Sequence, residues 1–284
     1  LEGIRTAPVL ADDYLYATFV DGRVMAMHPA DGQVAHDQSA GRPVGEMAAI
    51  GNVAAVASQR GKLFLLQRGK IVREVELGVA PTAGVLAAHG FFWVGGASGE
   101  VIRVDARTQA LKRITLQGTR AAIRGIGEGP TGVHVATSDG RLYALDSGGK
   151  QLWMQRGLGD ILGAPAYCRG HVAVVGRRGR VYIFEQRDGT PAGTEDLGGL
   201  TNVPLISVGS CFLASRSNGR LWAWDVETRL VRIDTMTEGG VHSAVSLGSG
   251  RFVVSVPGKW IMSFRLPPVP PQSAAGDAKA ESDK

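Results

Sequence analysis

The sequence predicts an all-β protein, a seven-bladed β-propeller with about four antiparallel strands per blade, on three observations. First, a turn followed by an apolar run recurs seven times: DGRVMAMH from residue 21, RGKLFLLQ from 60, SGEVIRVD from 98, DGRLYALD from 139, RGRVYIFE from 178, NGRLWAWD from 218 and PGKWIMSF from 257. Second, the turn glycines Gly22, Gly61, Gly99, Gly140, Gly179, Gly219 and Gly258 are separated by 39, 38, 41, 39, 40 and 39 residues, and a near-even period of about 40 in strand-like units marks a propeller. Third, glycine makes up 40 of 284 residues, about twice the usual ~7%, so the chain reverses direction often.

Each unit supplies the parts of a blade. A tight hairpin needs positive φ, which glycine adopts without steric cost and which suits the Asp-Gly and Asn-Gly pairs at 21, 139 and 218. The residues after each glycine, such as Leu142 to Leu145, are apolar on both faces, as in a sheet packed between two neighbours. Arg103 is the exception and is expected near a rim, an ion partner or a local defect. Upstream stand second-strand segments such as YLYATF, NVAAVAS, HVAVVG and CFLASRS, and before these, weaker ones such as TAPVL, EMAAI and APAYC. Downstream, QVAHDQ, KIVREVEL, QALKRITL, KQLWMQ and RLVRIDTM provide an outer strand. Four strands and four loops of about five residues each fill a period near 40. Stacking such sheets in a ring hides their apolar faces; an open β-solenoid is the architectural alternative, with shorter rungs of about 20–30 residues.

The propeller is expected over residues 1–266, and RLPPVPPQSAAGDAKAESDK changes to a Pro, Ala and charge composition that reads as a flexible tail or linker over 267–284. The last unit lacks an evident outer strand. Missing upstream sequence would supply either that strand or a further blade, so an eight-bladed parent stands as the alternative to seven.

A hydrophobic fraction of 44% and a charged fraction of 20% describe a folded protein, with no apolar run of the ~18 residues a membrane helix needs. The net charge of +5 is a mild excess, and without aromatic interleaving it does not call for nucleic acid. After the turn glycines come Arg23, Lys62, Glu100, Arg141, Arg180, Arg220 and Lys259, six of seven basic, on one face of the ring. Arg60, Arg177 and Arg178 reinforce them. At the other end of the same strand, Asp105, Asp146, Glu185 and Asp225 are acidic. Two readings stand: local turn and solvent roles, or a basic protein-binding face made of Arg23, Lys62, Arg141, Arg177, Arg178, Arg180, Arg220 and Lys259. The tryptophans, Trp153, Trp222 and Trp224 among them, read as blade packing.

No reaction is legible. The six histidines make no HExxH or other close metal pattern, Cys168 and Cys211 read as small buried hydrophobes or one optional disulfide, and there is neither a GxSxG elbow nor a GxxxxGK phosphate loop. No catalytic residue, metal or cofactor is expected.

DGRLYALDSGGKQLWMQRG at 139–157 and NGRLWAWDVETRLVRI at 218–233 resemble the repeats of pyrroloquinoline-quinone-type propellers, above all the non-enzymatic ones, among them the lipoprotein of the bacterial outer-membrane β-barrel assembly machinery. Asp146, Gly149, Lys150 and Trp153 match the family's blade-docking motif, in which the tryptophan packs adjacent blades. The resemblance covers roughly residues 5–266 and is strongest in the fourth repeat. The quinone-dependent dehydrogenases of the class carry a calcium-bound cofactor, a catalytic aspartate and often an adjacent-cysteine disulfide, a set this sequence does not match. The resemblance implies a non-enzymatic protein-interaction scaffold of the periplasm or cell envelope. Its partner is a protein, and any membrane association comes through that partner or an anchor outside these residues. A ligand-sensing domain of a larger signalling protein is the alternative reading, and a quinone-dependent oxidoreductase is a third, disfavoured one.

Overall fold

The computed structural model describes residues 3–237, 239–256 and 261–267. Among them are 27 strands and no helix, in seven antiparallel sheets. Blade one is β1 (Val9–Ala11), β2 (Tyr14–Thr18), β3 (Arg23–Met27) and β4 (Val34–Ser39); blade two is β5 (Ala48–Ile50), β6 (Val53–Ala57), β7 (Lys62–Gln67) and β8 (Lys70–Glu76). Blade three holds β9 (Leu86–Ala88), β10 (Phe91–Gly95), β11 (Glu100–Asp105) and β12 (Leu111–Thr115), and blade four β13 (Ile123–Glu128), β14 (Gly132–Thr137), β15 (Leu142–Asp146) and β16 (Gln151–Gln155). Blade five holds β17 (Ala166–Cys168), β18 (His171–Val175), β19 (Arg180–Glu185) and β20 (Pro191–Asp196), and blade six β21 (Ile206–Val208), β22 (Cys211–Ser215), β23 (Arg220–Asp225) and β24 (Val231–Met236). Blade seven has three described strands, β25 (Ser243–Gly248), β26 (Arg251–Ser255) and β27 (Ile261–Arg265). Gly258 and Lys259 lie outside the described residues, as does the expected tail apart from Pro267.

Each blade is a meander whose strands pair in chain order, and the first strands of successive blades touch, so they line the channel and the fourth strands form the rim. Gly22, Gly61, Gly99, Gly140, Gly179 and Gly219 all have positive φ. Gly140 has φ +75, and a Cβ there would meet the Gly159 carbonyl oxygen at 2.5 Å, so the position demands both the conformation and the missing side chain. The middle strands are buried on both faces, which is why their sequences are apolar without alternation. In five blades the third and fourth strands slip register at one place, between Ala26/Met27, Leu65/Leu66, Ala144/Leu145, Ile183/Phe184 and Ala223/Trp224, a recurring bulge that bends the outer strand.

Six apolar clusters seal the six junctions from blades one and two to blades six and seven. Trp222 and Trp224 pack into the junction of blades five and six. No seventh cluster joins blade seven to blade one among the described residues. There, Leu10 is 63% exposed and Val245 54%, and Met25 is half-buried where its counterpart Ile102 is fully buried.

A second device ties blade to blade. Trp153, opposite Ala144 on the outer strand of blade four, donates from Nε1 to the Gln186 carbonyl at 2.9 Å and lays its ring where a Cβ on Gly189 would sit 2.8 Å away. The same register position is His36 in blade one, whose ring would collide with a Cβ on Gly69. In blade three it is Lys112, which donates to the Gly148 carbonyl at 2.7 Å. Repeats without the docking tryptophan thus keep the contact with other side chains. Arg103, the odd residue of its strand, stacks 3.9 Å over the Phe91 ring and donates to the Ser147 carbonyl of the next blade.

Candidate functional site

The hairpins between second and third strands bring the residues that follow each turn glycine to one face of the wheel. Most of their charge is engaged within the blade. Arg23 meets Asp21 at 2.5 Å and Asp37 at 3.1 Å; Lys62 meets Glu74 at 2.7 Å and Glu76 at 3.3 Å; Arg220 forks onto Asp234 with both contacts at 2.5 Å. Arg141 meets Asp139 at 3.1 Å and also donates to the Gly118 carbonyl. Blade three reverses the polarity, with Glu100 accepting from Arg113 at 2.9 Å. The expected cationic ring is therefore, in these five blades, a ring of ion pairs joining third strand to hairpin or outer strand. Such exposed pairs contribute little stability, but they cancel most of the field.

Blade five differs. Arg177 shares Asp160 with Arg124, at 3.0 and 3.4 Å, while Arg178 and Arg180 are exposed and have no ion-pair partner among the described residues. Arg180 lies 5.8 Å from the Tyr182 ring centroid. Among the described residues of the predicted set, the strongest uncompensated positive charge sits here.

On the opposite face, Asp105, Asp146 and Asp225 close turns, while Glu185 lies 3.4 Å from His171 Nε2. Asp105 accepts from the amides of Arg107 and Thr108 at 2.9 and 2.7 Å, and Asp146 from the Lys150 amide at 2.8 Å. The Thr108 amide bond leads in holding the Asp105 carboxyl below its ordinary range. Asp225 is fully buried: Oδ1 accepts from the amides of Glu227 and Thr228 at 3.0 Å, and Oδ2 from Ser210 Oγ at 2.7 Å and Arg232 at 2.6 Å. Burial pushes its pKa up, but these donors outweigh burial and bring it down to about 2. Each of these aspartates has a local structural task.

At the channel mouth a cavity of about 680 Å³ is lined by residues of blades three to seven, including His89, Glu128, Tyr167 and Ser207. His89 is tied through Nε2 to the Gly129 and Gly132 carbonyls at 2.8 and 3.1 Å. Cys168 and Cys211 are free and buried, and burial raises their thiol pKa to about 11 and about 12. Among the described residues, no cluster of three His, Cys, Asp or Glu residues has metal-binding geometry, and no helix is long and apolar enough to cross a membrane.

Residues 97–210, from the hairpin of blade three into blade six, match the family model described as outer membrane protein assembly factor BamB. The fold is similar to the crystal structure of BamB from Moraxella catarrhalis at 16% identity, with a TM-score of 0.60 over 92% of this chain and 96% of that one. No curated protein matches the sequence. The architecture is shared by 1653 chains of known structure, too many for the fold alone to assign an activity. The seven stacked sheets and this structural likeness identify the fold as a β-propeller, within which residues 97–210 match the assembly-factor family model.

Proposed function

We propose that this protein is a non-enzymatic interaction scaffold in a bacterial cell-envelope assembly, binding a protein partner through the hairpin face around Arg177, Arg178 and Arg180. The match of residues 97–210 to an outer-membrane assembly factor carries the proposal. The site chemistry agrees with it: the strand-end aspartates close turns, the thiols are buried, and most hairpin cations are paired within their blade. Exposed arginines on rigid hairpins offer long-range steering and forked hydrogen bonding to an acidic partner surface.

The test is capture of partners from solubilised envelope by the chain and by a variant with Arg177, Arg178 and Arg180 all changed to Glu. Capture of outer-membrane assembly components that weakens in the variant, and that for the native chain weakens as salt rises, is the expected result. Equal capture by both proteins at low and at physiological salt removes this face from the proposal. Failure to capture any such component removes the envelope-assembly reading.

A further inference from the structure

Blade four carries its own carboxylate in the hairpin. Asp139, directly before Gly140, accepts from Thr137 Oγ1 at 2.5 Å and Thr119 Oγ1 at 2.9 Å and pairs with Arg141 at 3.1 Å. Blade two repeats this frame with one inversion. Counted from Gly61, Ser58 takes the place of Thr137 and Lys62 that of Arg141, while Arg60 stands where blade four has Asp139. The backbone frame is the same, since the Ser58 amide bonds the Lys62 carbonyl at 2.8 Å as the Thr137 amide bonds that of Arg141 at 3.0 Å. Blade two keeps one of the two hydroxyls, that of Ser58, and the cation, has Ala40 in place of Thr119, and lacks the anion between them.

The consequence is visible in the side chains. Ser58 is 1% exposed, and its Oγ is buried without a hydrogen-bond partner, a state that costs free energy unless a ligand or solvent atom completes it. The residue lines a cavity of about 450 Å³ between blades one and two, together with Ser39, Arg42, Arg60 and Lys62. Asp21 and Glu74 also line it, but Arg23 holds the first at 2.5 Å and Lys62 the second at 2.7 Å. Arg42 and Arg60 have no ion-pair partner among the described residues. The wall is rigid: a Cβ on Gly22 would stand 2.8 Å from the Gly41 carbonyl carbon.

We infer that this cavity is a carboxylate site, with Ser58 donating from the floor and Arg42 and Arg60 closing on the oxygens, and that it receives an Asp or Glu side chain of the partner. The inference rests on the scaffold reading for the source of the carboxylate, but the binding chemistry is testable without any partner. A planar carboxylate takes guanidinium and hydroxyl donors together, as Asp139 does in blade four from Arg141, Thr137 and Thr119.

The experiment is an amide NMR titration of the full chain with acetate, with inorganic phosphate, and with two capped tripeptides differing only in Glu against Gln. Saturable shifts at Ser58, Gln59 and Arg60 with acetate and the Glu peptide, and none with the Gln peptide, are expected. Ser58→Ala should weaken binding roughly tenfold. Arg60→Asp, which restores the blade-four arrangement, should abolish it, while Arg178→Glu leaves it intact. A response to phosphate alone, or identical shifts in the Arg60→Asp protein, overturns the carboxylate site. Acetate binding without Glu-peptide binding overturns the partner side chain as its occupant.

Discussion

Acidification from about pH 7 to about pH 5 tests how well the blade-four to blade-five junction excludes water. His134 lies in the middle of β14, is 2% exposed, sits with its ring tilted 37° to that of Trp153 at 5.8 Å, and has Nδ1 without a partner. Burial alone lowers its pKa from 6.5 to about 4. The ring is therefore neutral in the fold, and the unfolded chain takes up the proton first. Full stability holds above pH 6.5 and is lost as pH falls from there towards about 4. Those two pKa values correspond to a loss of about 2 kcal/mol between pH 7 and pH 5 and about 3 kcal/mol by pH 4. For a domain of this size that is a fall in melting temperature of roughly 5 °C at pH 5. Denaturant melts of the native chain and of His134→Leu at both pH values isolate the term, because the variant cannot titrate. On acidification the native chain should lose about 2 kcal/mol more than the variant does. An unchanged difference, or an imidazole that titrates near 6.5 by NMR in the folded protein, would refute the dry junction.

Three further outcomes follow from single contacts. Trp153→Ala removes a nearly buried indole and its bond to Gln186, and equilibrium unfolding should show a loss of about 3–5 kcal/mol, with Trp153→Phe recovering part of it. Gly140→Ala forces a side chain into positive φ against the Gly159 carbonyl, and a loss above about 1 kcal/mol is expected in the same assay; Gly32→Ala, with open space around it, should cost less. Asp225→Ala strands the buried Arg232 guanidinium and should cost about 3–5 kcal/mol, whereas in the native chain the ion pair contributes fully above pH 3.8 and fades as pH falls towards about 2. A change below about 1 kcal/mol in calorimetry would show that Arg232 finds another partner.

The fold was legible in the sequence because one physical requirement recurs: a positive-φ turn every ~40 residues followed by a strand apolar on both faces. Even the outer strands could be placed, since QVAHDQ and RLVRIDTM coincide with β4 and β24. The charge state of the hairpin face was not legible. The carboxylates opposite Arg23, Lys62 and Arg220 lie 12 to 14 residues further on, and only the pairing of third and fourth strands shows that they reach back. Glu100 was visible as the odd residue of its row, but its meaning, a swapped pair with Arg113, needed the register. Ser58 had a signal that comparing the repeats at the position before each glycine would have found: Asp in blade four and Arg in blade two. The preceding loop lies against it, with Pro43 bridged to Ser58 and Gly41 beside its Cβ, which no single-strand pattern reports.

Photo-crosslinking in living cells tests the scaffold claim most directly. A photoreactive residue in place of Arg178 on the hairpin face is compared with one in place of Val72, 53% exposed on the outer strand of blade two. Crosslinks from position 178 to an outer-membrane assembly component, absent from position 72, are the expected result. A folded, envelope-located protein that gives no crosslink at 178, or the same products from both positions, would contradict it.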